Sequence, residues 1–215
     1  MPKVLERINE VKKYRIGSTK KQTQETALTP TLFTEPRQPE SDFLLVPRTS
    51  SENRRYIPFG FFNKEFIVND SCIALPNASL YHFGIMSSIM HMVWVKYTCG
   101  RLKSDFRYSN TLTYNNFPWP ENLLKKQKEA VEKAAQYVLD VRLQFPKSSL
   151  ADLYDPNTMP PSLVKAHQQL DKAVDLCYRP QPFINDTKRI EFLFELYDKY
   201  TAGLFVREKK VKSKK

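Results

Sequence analysis

The chain has 215 residues, 41% of them hydrophobic and 13% aromatic, enough to bury one large core or two small ones. Composition argues against a membrane span: residues 80–95 lack Asp, Glu, Lys and Arg, but they contain Ser, His and Gly and fall short of the roughly 20 apolar residues a bilayer requires. The net charge of +11 is also a weak guide, because residues 1–24 and 207–215 carry +5 each and leave only +1 for the body between them, so any case for nucleic acid must come from local clustering.

Residues 2–16 predict a short helix, with Val4, Ile8 and Val11 three to four apart. Residues 17–41, rich in Thr, Gln and Pro, read as a connector. Strand-like runs follow at 42–50 (DFLLVPRTS), 55–63 (RYIPFGFFN) and 65–76 (EFIVNDSCIALP), with Pro47 and Pro58 pointing to edges or bulges. Asn77 or Ser79 can cap the next helix, LYHFGIMSSIMHMVWVKY, which is apolar on nearly every side and therefore central. Residues 100–120 form a ribbon closed by Phe117-Pro118-Trp119-Pro120. Helical patterns then occupy 122–145, 161–180 and 186–203, the last beginning at Asp186 and ending at Gly203. These elements predict an α+β fold: a small, twisted, mainly antiparallel sheet with a central helix, followed by a C-terminal three-helix bundle.

Tests for catalysis are negative. Asn116-Phe117-Pro118-Trp119 partly matches the Asn-Pro-Pro-aromatic loop of amino-methylating DNA enzymes but differs at its second position, and Phe117 and Trp119 read as core anchors. The five glycines are isolated, so no glycine-rich turn for S-adenosylmethionine is present. His82 and His91 lack ligand spacing, and Asp105 has no second carboxylate near it, so no metal site is expected. Cys72, Cys99 and Cys177 show no ligand spacing either. Their odd number, with a charged N-terminus lacking an apolar leader, fits a cytoplasmic setting.

The informative segment is 96–107, where Lys96, Arg101, Lys103 and Arg107 against Asp105 give +3, the steepest local excess in the body. In an extended ribbon Arg101, Lys103, Asp105 and Arg107 would share one face, with Leu102, Ser104 and Phe106 on the other. Such a face offers donors and an acceptor to base edges. A surface strand held by Lys103–Asp105–Arg107 salt bridges fits the residues equally well. Arg54 and Arg55 add a second basic point.

Four stretches together, RYIPFGFF, DSCIALPNASLYHFGIMSSIMHMVW, CGRLKSDFRYS and YNNFPWP, resemble the C-terminal part of MmeI-type (type IIL) restriction–modification enzymes and related adenine-specific DNA methyltransferases. The resemblance extends over about residues 1–206. It implies a lead-in helix and connector at 1–36, a DNA target recognition domain at 37–120, a C-terminal helical domain at 121–206 and a basic tail at 207–215. It also implies that the methyltransferase domain, its S-adenosylmethionine site and its catalytic motif lie upstream in a longer parent, so that the fragment alone is not catalytic and holds no cofactor.

By the same resemblance Lys103 and Asp105 are a base-reading pair, Arg107 reads another position and Ser71 cooperates with Arg107. Lysine donates to guanine O6/N7 and aspartate accepts from cytosine N4, so the pair would span one G·C pair with guanine in the modified strand. Arg54, Arg55, Lys96 and Arg101 are then expected on the DNA backbone. The partners implied are double-stranded DNA and the upstream methyltransferase domain, with no membrane. The alternative is a helical module that docks a methyltransferase or nuclease subunit through the bundle's apolar faces, without base reading.

Overall fold

The computed structural model describes residues 1–35 and 37–211, with side chains through 202. The side chains of the expected basic tail therefore lie outside the described residues. The chain separates into two compact units, Met1–Gln38 and Pro39–Lys215.

In the first unit, helix α1 (Pro2–Ile16) opens with proline in its first turn, where a missing N–H costs nothing. Helix α2 (Lys21–Glu25) and a 3₁₀ turn (Thr26–Leu28) lie within the stretch expected as connector. Arg15 braces them, its guanidinium donating to the carbonyls of Thr26, Thr29 and Leu32 at 2.9, 2.9 and 2.7 Å.

The second unit contains two three-stranded antiparallel sheets where the sequence pattern suggested one. Strand β1 (Phe43–Pro47) lies between β3 (Gly60–Phe62) and β4 (Cys72–Pro76). Strand β6 (Asp105–Arg107) lies between β2 (Thr49–Ser50) and β5 (Gly100–Leu102). The chain passes from one sheet to the other at Arg48. Its N–H donates to the Ser71 carbonyl at 2.9 Å, and its carbonyl accepts from the Tyr108 N–H at 2.8 Å. Two expected strands are much shorter than their apolar runs. Residues 51–59 form a loop whose Tyr56, Ile57 and Phe59 are buried, and residues 65–70 are turn and coil carrying the exposed Phe66 and Ile67.

The central helix is present but broken into α3 (Leu80–Met86) and α4 (Ile89–Thr98). Ser79, not Asn77, caps α3: its N–H donates to His82 Nδ1 at 3.1 Å. At the break, the Ser88 hydroxyl donates to the Ile85 carbonyl at 2.6 Å and accepts from the His91 N–H at 3.4 Å. These short-range side-chain bonds end one helix and start the next. Residues Ile89 to Val95 are all buried, as expected of a helix enclosed on every side.

Helices α5 (Lys125–Leu143) and α7 (Pro161–Tyr178) pack on each other and on α3, and α8 (Asp186–Val211) packs on α4. A short α6 (Leu150–Leu153), capped by Ser149 and Asp152, joins α5 to α7. Helix α8 runs past Gly203, where an end was expected. The apolar stripes close one core: Val131, Val138, Leu163, Leu170 and Val174 are fully buried, each stabilising by about 1.5–3 kcal/mol relative to exposure. Gly84 permits the α3–α5 approach, since a Cβ there would lie 2.6 Å from Val131 Cγ1 and 3.2 Å from Ala135 Cβ.

Candidate nucleic-acid interface

The basic ribbon is a tight hairpin rather than one extended strand. Strands β5 and β6 pair with Gly100 opposite Arg107, Arg101 opposite Phe106 and Leu102 opposite Asp105, leaving residues 103–104 as the turn. Cross-strand partners share a face, so the expected row of Arg101, Lys103, Asp105 and Arg107 is divided. Asp105 and Arg107 lie on one face with Leu102. Arg101 lies on the other, with the buried Phe106, and Lys103 forms the tip. Lys103 has φ 56°, a left-handed conformation in which glycine or asparagine is usual.

Arg101 is occupied within the chain. Its guanidinium carbon sits 4.2 Å from the Phe106 ring centroid, its N–H groups donate to the carbonyls of Ser104 (2.9 Å) and Lys96 (3.4 Å), and Glu52 lies 3.7 Å away. Lys103, Asp105 and Arg107 differ. Lys103 and Arg107 are exposed and Asp105 is half-buried, and none of the three side chains makes a hydrogen bond or ion pair among the described residues. The internal salt bridges that a purely structural ribbon would have used are not formed.

Ser71 lies one residue before β4 and is exposed, its N–H held by Asn69 Oδ1 at 3.0 Å. Arg48 bonds to Ser71 while the adjacent Thr49 pairs with Arg107, so Ser71 and Arg107 flank one strand segment. Arg48, which the sequence reading passed over, projects an exposed cation at this seam. The only signal for it was a proline immediately before it, ending β1. Arg54 and Arg55 stand in the 51–59 loop rather than before a strand. Lys96 is half-buried in the last turn of α4, 3.7 Å from Asp186.

Behind this surface lies a buried polar assembly with no counterpart in the sequence reading. Tyr56 donates its hydroxyl to Asp171 Oδ2 at 2.7 Å, and Asp171 Oδ1 accepts the Ile89 N–H, also at 2.7 Å. The Tyr56 ring stacks on His167 at 4.1 Å. Arg142 donates to the Phe59 carbonyl at 2.7 Å and, through Nε at 2.8 Å and through Nη2, to the Tyr154 oxygen. His167 Nδ1 lies 3.2 Å from the Ser87 carbonyl, which can only accept. The ring proton is therefore on Nδ1, and Tyr154 donates its hydroxyl to Nε2 at 2.7 Å. Burial pushes His167 down to about 3 and, with no opposing charge, His91 also to about 3. Burial raises the Asp171 carboxyl to about 6. Arg142, His167 and Asp171 sit on helix faces that look ordinary in one dimension, and only tertiary packing brings Tyr56 and Tyr154 against them.

Asn116 donates both amide hydrogens internally, to the Thr111 and Leu112 carbonyls at 3.0 and 3.1 Å. Phe117 is buried against His91 and Trp94, and Trp119 packs on it. Buried His91 pairs with the Tyr108 hydroxyl at 2.9 Å. Among the described residues no group of three or more His, Cys, Asp or Glu could hold a metal ion, and no helix is long and apolar enough to cross a membrane. Gly17 ends α1, while Gly60, Gly84 and Gly100 lie inside β3, α3 and β5. None of them forms the strand-to-helix turn that cradles S-adenosylmethionine.

Residues 1–121 match the family model "MmeI, target recognition domain", and residues 123–205 match "MmeI, C-terminal domain". A relative from Bacillus subtilis (strain 168), DNA methyltransferase A, is 42% identical over 200 residues, 93% of this chain and 22% of the relative. A solved structure of the type IIL restriction–modification enzyme MmeI in complex with DNA is 46% identical with a TM-score of 0.89, covering 94% of this chain and 27% of that one. The chain thus spans about a quarter of the length of the proteins it matches. It belongs to the MmeI family, of which it carries the target recognition and C-terminal domains.

Proposed function

We propose that this chain is the sequence-reading part of a DNA (adenine-N6) methyltransferase, with or without a fused restriction nuclease. Methyl transfer from S-adenosylmethionine and flipping of the target base would belong to an upstream domain of the same protein, working in the cytoplasm. Within the chain, residues 37–120 face the duplex and 121–206 support them. The observation that carries this reading is the hairpin: Lys103 at its tip and Asp105 and Arg107 on β6 have no internal hydrogen-bond or ion-pair partner among the described residues. Lys103 and Asp105 then span one G·C pair, with lysine on guanine in the modified strand and aspartate on cytosine, each contact worth about 1–3 kcal/mol of discrimination. Arg107 and Ser71, on either side of the Arg48 seam, read a neighbouring position.

Exposed Arg55 and half-buried Arg54, neither of them in an ion pair among the described residues, are candidates for phosphate contact. Arg101 and Lys96 are drawn toward Phe106 and Asp186, so their part in DNA contact is secondary. A docking module would use outward-facing apolar residues of the bundle; Val131, Val138, Leu163 and Leu170 face the core, while Leu124, Leu143 and Leu176 are exposed.

Duplex binding by the full-length protein over a range of salt tests the reading. Affinity that falls steeply with salt, together with selectivity among duplexes that is lost in the Lys103→Ala/Asp105→Ala variant, supports it. Selectivity unchanged by that double substitution refutes it.

A further inference from the structure

The 51–59 loop that carries Arg54 and Arg55 is tethered by buried polar groups from the C-terminal helices. Asp171 of α7 accepts the Tyr56 hydroxyl at 2.7 Å, and Arg142 of α5 donates to the Phe59 carbonyl at 2.7 Å. The tether reaches Arg55 itself. Its guanidinium carbon lies 5.6 Å from the Tyr56 ring centroid, and its charge acts on both the Tyr56 hydroxyl and the Asp171 carboxylate. Asp171 is only 6% exposed, while Arg55 is exposed beside it. A buried carboxylate favours side-chain orientations that keep nearby cations close, here exposed Arg55 and half-buried Arg189. A buried hydrogen bond to the neighbouring tyrosine also costs more to break than to keep.

We propose that Asp171 and Tyr56 are positioning residues that hold Arg55 in the orientation from which it contacts a DNA phosphate. Helix α7 of the C-terminal domain would thereby take part in DNA binding without touching the duplex. The inference rests on the DNA-reading function proposed above. It adds that the helical domain sets part of the affinity, in a sequence-independent way, since phosphate contacts orient the duplex without reading it.

The test uses the full-length protein and a fluorescently labelled mixed-sequence DNA duplex, with binding measured across a salt series. Arg55→Ala should reduce the slope of log affinity against log salt by about 0.9, the signature of one lost phosphate contact. Tyr56→Phe keeps the ring and its stack on His167 and removes only the hydroxyl. It should reduce the slope by a similar amount, and the Arg55→Ala/Tyr56→Phe double variant should lose no more than either alone. Asp171→Asn should follow Tyr56→Phe. A merely structural role would lower thermal stability and leave the salt slope at its wild-type value. If Arg55→Ala lowers the slope while Tyr56→Phe and Asp171→Asn do not, the positioning role is overturned and the phosphate contact stands. If Arg55→Ala itself leaves the slope unchanged, both are overturned, while base reading by the hairpin is judged separately by duplex selectivity.

Discussion

The guanidinium of Arg101 lies 4.2 Å from the centroid of the Phe106 ring, directly across the hairpin. This contact, with the bonds to the Ser104 and Lys96 carbonyls, turns one of the hairpin's three cations into a brace for the other two. Arg101→Lys should not replace it, because an ammonium lacks the flat fork that stacks and donates in two directions. The expected loss is about 0.5–1 kcal/mol of local stability, seen as faster hydrogen exchange of the β5 and β6 amides.

Lys103 holds a backbone conformation at the hairpin tip that a β-carbon disfavours. Lys103→Gly should relieve about 1–2 kcal/mol of that strain and give back part of it as lost chain entropy, for a net gain of about 0.5 kcal/mol in urea denaturation. The same substitution should weaken discrimination at one base pair. A residue that lowers stability where it stands and raises selectivity is the pattern expected of a functional position.

Gly84 marks the closest approach of α3 to α5. Gly84→Ala should destabilise the fold by about 1–3 kcal/mol, because the added carbon meets the Val131 methyl at 2.6 Å in a closed core. Calorimetry would show a lower Tm. No change in Tm would mean that the two helices are less tightly packed than described.

Acid stability follows from three buried groups. His91 and His167 are pushed from 6.5 down to about 3, so the stability their neutral forms contribute is complete above 6.5 and is lost as pH falls toward 3. Asp171 is raised from 3.8 to about 6, so its contribution is complete below 3.8 and is lost as pH rises through 6. Between pH 4 and 6 the two histidines outweigh the one carboxyl by one proton. Unfolding free energy should therefore fall by at least about 1.4 kcal/mol per pH unit on acidification through that range, His82, also lowered by burial, acting in the same direction. Asp171→Asn removes the opposing group and should steepen the slope, measured by urea denaturation at successive pH values.

The C-terminal helices were legible because Val131, Ala135 and Val138, and Leu163, Leu170 and Val174, recur at helical spacing and find a core to fill. The hairpin was misread as one strand because its turn carries Lys103 and Ser104 in place of glycine or asparagine, while alternating Lys, Asp and Arg imitate strand periodicity. The break in the central helix was hidden for a related reason. Ser87 and Ser88 interrupt no apolar pattern, and only the local bonds of Ser88 end α3 and start α4. Asp171 gave no signal at all, since an acidic residue on an amphipathic helix looks solvated until Tyr56 and Ile89 are placed against it. Charges that end up free at the surface were visible in the ribbon, and charges consumed in the core were not.

The most direct test of base reading is to exchange the Lys103 and Asp105 pair for Glu and Arg in the full-length protein and to map methylated sites across a genome. The expected result is a methylated motif altered at a single base pair, with the guanine moved to the opposite strand and every other position kept. An active variant that methylates the same motif as the wild type at every position would contradict the account.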